Sequence, residues 1–503
     1  MRVVARFAPH ARTESANGRL ANTGVSRGPY HDRHTMWPGP ASPDQTGARR
    51  NGREPTQPGQ RRPAARARRP ALRRHAALTA PTERMSNIKK NFLLLLTLQI
   101  SMYAVPLLIA PLLTHALGPE GYGQLAFSLA VIAYLTNCTS YSFDLTATPR
   151  IALARDDRAE RSRIFWATLY AQIGIAVICF VVLIALTFLV ERFGEDRDLL
   201  LIGFGMVAGV AFTPGWYFQG MEKLRALSVI LFVGRILSLP AMFALVHSPA
   251  DIDRAMIVNA AVPTLSAIVL AAYLYFQREI DFVRVGVADI AESLKGGWQV
   301  FLASTSIAFY ASTNTVLLGF VSGNVAAGYF AAGDKLIRAA LSMLQPLKAA
   351  TYPRISYLMR HARNDAFSFL RKLFVVQVVM VLGISLAIFF GAPLAVRILY
   401  GPSYEPTVQV LRWMAFIPFM AGMTDLFGVQ TMLPLGMKSA FTRILMSSGI
   451  LNIVLVPVLA KYFAELGAAA AVLTAEAAVA AALATVVYRA GIPLPGSPVA
   501  RRS

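Results

Sequence analysis

Twelve times between residues 91 and 488 the sequence presents a window of mostly apolar residues about 20 long, the length an α-helix needs to cross a hydrocarbon core about 30 Å thick. The windows fall at 91–113, 122–143, 165–190, 199–219, 226–247, 255–277, 297–321, 326–350, 373–391, 406–433, 444–460 and 466–488. They predict an all-α integral membrane fold of about twelve transmembrane helices. Composition agrees. Of the 503 residues 55% are apolar and only 15% charged, against about 25% charged in a soluble domain, which argues against a water-soluble enzyme of this size. Cys138 and Cys179 both lie in apolar runs, so neither a disulfide framework nor a Cys/His metal site is expected.

Loop charge orients the spans. One set of loops and ends carries twenty-two basic residues, beginning with Lys89 and Lys90 and including Arg150, Arg155, Arg158, Arg161 and Arg163. The opposite loops carry five, namely Arg192, Arg197, Arg254, Arg397 and Lys461. This asymmetry places both termini in the cytoplasm. Gly121-Tyr122 recurs as Gly328-Tyr329, and Gly220-Met221-Glu222-Lys223 is echoed by Gly436-Met437-Lys438-Ser439. Similar offsets and equal orientation predict two six-helix bundles of parallel repeats, residues 85–290 and 291–503, with a substrate route between them.

More than half of the net charge of +22 sits in residues 1–84, which hold 17 Arg, ten Pro and no Ile. Such a stretch cannot bury enough apolar surface to offset chain entropy, so a disordered leader is expected. It lacks a secretory h-region. No aromatic or helical pattern accompanies its arginines, so nucleic acid is not an expected partner. Met85-Ser86-Asn87-Ile88-Lys89-Lys90 reads as a natural beginning, and a start mis-assigned upstream of Met85 accounts for the leader.

Five basic residues fall inside spans: Arg235, Lys335, Arg338, Lys348 and Arg412. A charge near the bilayer centre costs roughly 2.5–3.5 kcal/mol on insertion scales, so each needs a reason. Snorkelling at a span end is the competing account for Arg412 and Lys348. In the seventh span Gln299, Ser306, Tyr310, Thr313 and Asn314 share one helical face, and in the eighth Asp334, Lys335, Arg338, Ser342, Gln345 and Lys348 share another. A helix lining a watery cleft gains from such a stripe; a polar contact between helices is the alternative. The first half offers a thinner signal: Tyr134, Asn137, Tyr141 and Asp144 on the second span and Arg235 on the fifth. Asp425 stands alone in the tenth. No Walker A, Gly-x-Gly-x-x-Gly or His-Glu-x-x-His sequence is present. Extracytoplasmic loops are short, so transport is expected rather than catalysis, with no cofactor and no metal site.

Five segments resemble one family in the right order: Leu117-Gly118-Pro119-Glu120-Gly121-Tyr122-Gly123, Trp216-Tyr217-Phe218-Gln219-Gly220-Met221-Glu222-Lys223, Gly328-Tyr329-Phe330-Ala331-Ala332-Gly333-Asp334-Lys335, Tyr352-Pro353-Arg354-Ile355-Ser356 and Leu399-Tyr400-Gly401-Pro402-Ser403-Tyr404. The chain is similar over residues 88–488 to the polysaccharide biosynthesis and O-antigen type flippases of the multidrug/oligosaccharidyl-lipid/polysaccharide exporter superfamily. The resemblance implies two six-helix bundles around a cavity that opens alternately to each side of the bacterial cytoplasmic (inner) membrane. It also implies an undecaprenyl-diphosphate-linked oligosaccharide as cargo, for exopolysaccharide or O-antigen assembly. Membrane lipids and polysaccharide polymerase machinery are the expected partners. On that basis Lys335, Arg338, Arg235, Tyr310, Asn314 and Gln299 are candidates for substrate binding. Asp334, Asp425 and Asp144 are candidates for coupling to H+ or Na+. A cation-coupled multidrug antiporter of the same superfamily and a lipid II flippase are the alternatives; the first would favour an acidic cavity, whereas the embedded charge here is mainly basic.

Overall fold

The computed structural model describes residues 81–492; the expected leader disorder over 1–84 concerns residues outside them except for 81–84, which are helical at the start of α1. In chain order the helices are α1 (Pro81–Ser140), α2 (Phe143–Leu153), α3 (Arg158–Leu189), α4 (Glu191–Glu195), α5 (Arg197–Ala211), α6 (Gly215–Gly220), α7 (Leu224–Leu245), α8 (Ile252–Phe276), α9 (Val287–Ser342), α10 (Gln345–His361), α11 (Arg363–Leu399), α12 (Pro406–Met414), α13 (Ile417–Thr424) and α14 (Lys438–Arg489). A π-helical stretch, Asp425–Met432, continues α13. Among the described residues there is no strand, and eight helical segments are long and apolar enough to cross a membrane.

Three helices are broken inside. Non-helical residues interrupt α1 at Gly118 (φ 68°, ψ 179°), α9 at Gly323 (φ 81°, ψ −176°) and α14 at Ala464 (φ 45°, ψ −126°). At Gly118 the cause is local: Pro119 drives the preceding residue to extended ψ, and only glycine combines that ψ with positive φ without strain. In α14 the legs fold back on each other, since the Ser448 hydroxyl donates to the Ala475 carbonyl at 2.9 Å.

The same backbone devices recur in the two parts of the chain. Gly118 matches Gly323, Glu222 (φ 56°) matches Gly436 (φ 79°), and Arg278 (φ 49°) matches Gly491 (φ 67°). The second pair closes its helix identically, with Lys223 N–H on Phe218 O and Met437 N–H on Met432 O. The third does so with Glu279 N–H on Leu274 O and Ile492 N–H on Val487 O. These are left-handed C-terminal closures. They shift the repeat register by two residues from the Gly-Tyr and Gly-Met letter matches. Gly121 corresponds to Ala326, and Glu222, not Gly220, corresponds to Gly436.

The first leg of α9 is the spindle of the molecule. Residues 119–140 of α1 run antiparallel along it: Gly123 meets Asn324 just past the Gly323 break, the Phe127 ring packs on Gly319, the Tyr134 hydroxyl donates to Thr313 Oγ1 at 2.8 Å, and Tyr141, just after α1, stacks on Phe301 with centroids 4.4 Å apart. On its other side, Asn452 Nδ2 of α14 donates to Asn314 Oδ1 at 2.6 Å, and the Ser322 hydroxyl donates to Ala460 O at 3.0 Å.

The link between α8 and α9 is strapped to the start of α3. Arg158 pairs with Asp281 at 2.7 Å and donates to Arg278 O at 2.7 Å, Arg161 donates to Glu279 O at 3.1 Å, and Trp166 Nε1 donates to Asp281 O at 2.9 Å. Arg163 pairs with Asp289 at 2.6 Å and holds that carboxyl below the usual carboxylate range. Exposed pairs of this kind contribute about 0–1 kcal/mol each; their effect here is positional. The arginines that mark topology in the sequence also fix the link to the first part of the chain.

The buried cores are arranged unevenly. At the end carrying the Gly118 and Gly323 breaks, one core joins both parts, with Leu113, Leu125, Leu199 and Val246 packed in the same cluster as Phe330, Tyr400, Leu411 and Ala469. At the opposite end two separate cores form, one around Phe143, Trp216 and Leu270 and one around Ile355, Leu426 and Leu483. The helices are thus gathered at one end and divided at the other. A methyl group at Gly123 would lie 1.8 Å from Asn324 O, and one at Gly328 would lie 2.1 Å from Pro119 O. Gly123→Ala and Gly328→Ala are therefore expected to wedge the gathered end apart. With both native cysteines replaced and Ala126→Cys introduced, labelling by an impermeant maleimide from that end should rise severalfold; unchanged labelling would contradict the close approach.

Candidate functional site

A cavity of about 780 Å³ occupies the interior and is lined from α1, α2, α3, α5, α6, α7, α8 and α9. Its charged lining residues are Arg235, Lys335, Arg338, Asp334 and Asp144, three basic against two acidic. No residue of α11 to α14 lines it. The expected route between two equal halves is thus refined: the first part of the chain and α9 form the walls, because α14 is seated on the far side of the α9 spindle.

Each charge has a distinct setting. Arg235 lies midway along α7 and is half-buried; the neighbouring Ser238 hydroxyl donates to its carbonyl at 2.6 Å, not to its guanidinium. Lys335 places Nζ 5.7 Å from the centroid of the Tyr122 ring, a cation–π contact between α9 and α1. Arg338 and Asp334, one helical turn apart, form an ion pair through Arg338 Nε. Asp144, in the first turn of α2, is exposed. Neutral polar groups share the lining, among them Thr136, Ser140, Gln172, Gln219, Asn259 and Ser266. Gln172 Oε1 accepts from Trp216 Nε1 at 3.0 Å, and Asn259 Nδ2 donates to Ala255 O at 2.8 Å. The cavity combines cations, amides, hydroxyls and the edge of a tryptophan, groups suited to an anion and to sugar hydroxyls.

The structure thus brings together Arg235, Lys335, Arg338, Asp334 and Asp144, and leaves the other candidates elsewhere. Asn314 is buried against Asn452. Gln299 is exposed and does not line the cavity. The Tyr310 side chain lies outside the described residues. Asp425 sits in the π-helical stretch and pairs with Lys348 Nζ at 2.9 Å. Gln377 Nε2 donates to its other oxygen at 3.3 Å, and Gln430 Nε2 donates to Thr351 Oγ1 at 2.9 Å. Arg412 places its guanidinium 5.8 Å from the Phe389 ring centroid. Gln172, Gln219 and Asn259 were not singled out from the sequence because they occur one to a helix and make no stripe; Gln219 alone carried a signal, in the Trp-Tyr-Phe-Gln-Gly segment.

A helical membrane body around an open, charged cavity defines a multi-pass membrane transporter, and comparison with known proteins agrees. Residues 88–359 match the family model described as polysaccharide biosynthesis protein. The chain is 30% identical over 395 residues to a putative O-antigen transporter of Escherichia coli (strain K12), covering 78% of this chain and 95% of the relative. A putative O-antigen transporter of Shigella dysenteriae is 25% identical over 393 residues, covering 77% and 97%. Among solved structures, the inward-facing conformation of a multidrug resistance MATE family transporter of the MOP superfamily superposes with a TM-score of 0.61 at 14% identity, covering 78% of this chain and 94% of that one. The lipid II flippase MurJ in an inward closed conformation superposes with a TM-score of 0.57 at 11% identity, covering 78% and 87%. The chain belongs to the polysaccharide biosynthesis protein family. Its relatives are transporters rather than enzymes.

The Lys348 and Asp425 pair offers a direct check on these assignments. Breaking a buried ion pair on one side costs about 3–5 kcal/mol, and the lower end applies because the Lys348 side chain is 35% exposed. Lys348→Met and Asp425→Leu should each lower the melting temperature in detergent, and the double variant should recover most of the loss. Two neutral single variants would show that the pair is not structural.

Proposed function

We propose that this protein is a flippase that turns an undecaprenyl-diphosphate-linked oligosaccharide from the cytoplasmic to the outer leaflet of a bacterial cytoplasmic membrane, supplying exopolysaccharide or O-antigen assembly. The observation that carries this is the cavity: Arg235, Lys335 and Arg338 face one space with amides and hydroxyls, at membrane depth, in a member of a polysaccharide biosynthesis family. Cations in a low-dielectric cleft favour a diphosphate, while the amides and Trp216 suit sugars. The lipid tail remains in the bilayer, so no sealed apolar pocket is required.

Topology fits alternating access. Counting the legs of α1, α9 and α14 separately, and α5–α6 and α12 through the π-helix as one broken span each, gives twelve spans in two sets of six. The recurring left-handed closures support that division, with residues 85–290 and 291–503 as the two bundles. The α9 leg that begins the second bundle packs along the first. The excess of basic residues in one set of loops supports cytoplasmic termini. The divided end of the helices then faces the cytoplasm, so the cavity is open for loading. A proton or sodium gradient is the driving force, with Asp144, which lines the cavity with no ion pair among the described residues, as the carboxylate placed to sense it, and Asp334 able to do so only when released from Arg338. Asp425, held by Lys348, is left to the packing of the second bundle.

A multidrug antiporter of the same superfamily would need a cavity attractive to cations; the lining here carries one more basic than acidic side chain. Reconstitution separates the readings. Proteoliposomes containing the protein should move a fluorescent undecaprenyl-diphosphate oligosaccharide between leaflets at least tenfold faster than empty vesicles, and ionophores that collapse the gradients should slow it. Extrusion of cationic dyes without glycolipid movement would establish the antiporter instead, and preference for lipid II would move the cargo to cell-wall precursor.

A further inference from the structure

The three cavity cations are not equivalent. Arg338 is committed to Asp334 through an ion pair on its own helix. Among the described residues, neither Arg235 nor Lys335 has a carboxylate within ion-pair distance. They also sit on different elements: Arg235 on α7, in the first part of the chain, and Lys335 on the second leg of α9. The Lys335 contact with the Tyr122 ring steadies the ammonium without using any of its three N–H donors. An unpaired cation in a membrane span is retained only against a cost, and two facing one cavity call for a ligand that neutralises both.

Asp334 gives Arg338 a different task. A bare carboxylate in the wall beside Lys335 would repel an anion entering the cavity. Arg338 sits four residues further along, where a helical pair meets, and covers that charge.

We infer that the anionic group of the cargo is gripped between Arg235 and Lys335, and that Arg338 is a positioning residue that neutralises Asp334 rather than a ligand of the anion. The chemistry recognised is a phosphate ester bearing more than one negative charge, with one cation supplied from α7 and the other from α9. Binding thus draws on both walls of the cavity, and an anion held between them favours their approach. This inference rests on the flippase reading for the identity of the cargo but not for the site, whose test requires no transport.

Binding of geranylgeranyl diphosphate, inorganic diphosphate and phosphatidylglycerol to the detergent-purified full chain provides the test. Arg235→Gln and Lys335→Gln should each weaken geranylgeranyl diphosphate binding about tenfold or more, the loss expected for a charge-assisted hydrogen bond. Arg235→Lys should retain most of it, which separates lost charge from lost folding. Arg338→Gln should also weaken binding, and Asp334→Asn/Arg338→Gln should restore it to within about threefold of wild type. Competition by inorganic diphosphate with the same variant pattern supports recognition of the diphosphate itself. Equal binding of phosphatidylglycerol with that pattern would overturn the assignment to a multiply charged group. A double variant as weak as Arg338→Gln would make Arg338 a direct ligand and overturn the division of roles, as would full binding by the Arg235→Gln and Lys335→Gln variants. Glycolipid transport that persists in those two variants would sink the anion site and leave the flippase standing; the binding pattern without glycolipid transport would do the reverse.

Discussion

The close approach of the second leg of α1 to α9, on both sides of the Gly323 break, is the contact that organises the fold. Gly123 and Gly328 allow backbone to touch backbone at one end, where any side chain would collide with a carbonyl. From there the two legs stay together through Phe127, Tyr134 and Tyr141 to the far end. Helices packed this tightly gain dispersion contacts in a solvent that offers no hydrophobic drive between them. The consequence is geometric. The leg of α9 that opens the second part of the sequence is, in space, a wall of the first. The cavity therefore lies against α1 and α7, not midway between two symmetric bundles.

The same arrangement sets the electrostatics. Polar residues placed along α9 and its neighbours have two fates, and packing decides which. Where another helix is seated on them they are consumed: Asn314 by Asn452, and, further on, Asp425 by Lys348. Where no helix is seated they face the cavity, as Asp334, Lys335 and Arg338 do. Burial of an unpaired polar group in hydrocarbon is costly enough that both outcomes satisfy the same physical rule. A stripe read from periodicity cannot tell them apart.

This explains what was legible in the sequence. The membrane body and its helical class follow from apolar windows, and Arg235, Asp334, Lys335 and Arg338 were recognisable as charges that needed a reason. The recurring left-handed closures were not, because two of them fall at Glu222 and Arg278, and Glu and Arg do not advertise positive φ. Asn314 and Gln299 share a face with Thr313 on a helical wheel, yet the seating of α14 buries Asn314 while Gln299 is left exposed, and neither residue lines the cavity. Gln172, Gln219 and Asn259 converge from three helices, a tertiary fact with no one-dimensional trace. The arginines at the start of α3 read as topology markers; their second task, strapping the link between α8 and α9, depends on carbonyls whose positions only the fold supplies.

The central claim is that the cavity receives a glycolipid diphosphate at the cations of α7 and α9. An experimental structure of the protein in a nanodisc with an undecaprenyl-diphosphate oligosaccharide tests it most directly. Diphosphate density should lie between Arg235 and Lys335, with sugar density toward Gln219 and Trp216 and the Arg338 and Asp334 pair intact. Diphosphate density among α11 to α14, or an empty cavity with the glycolipid bound elsewhere, would contradict it.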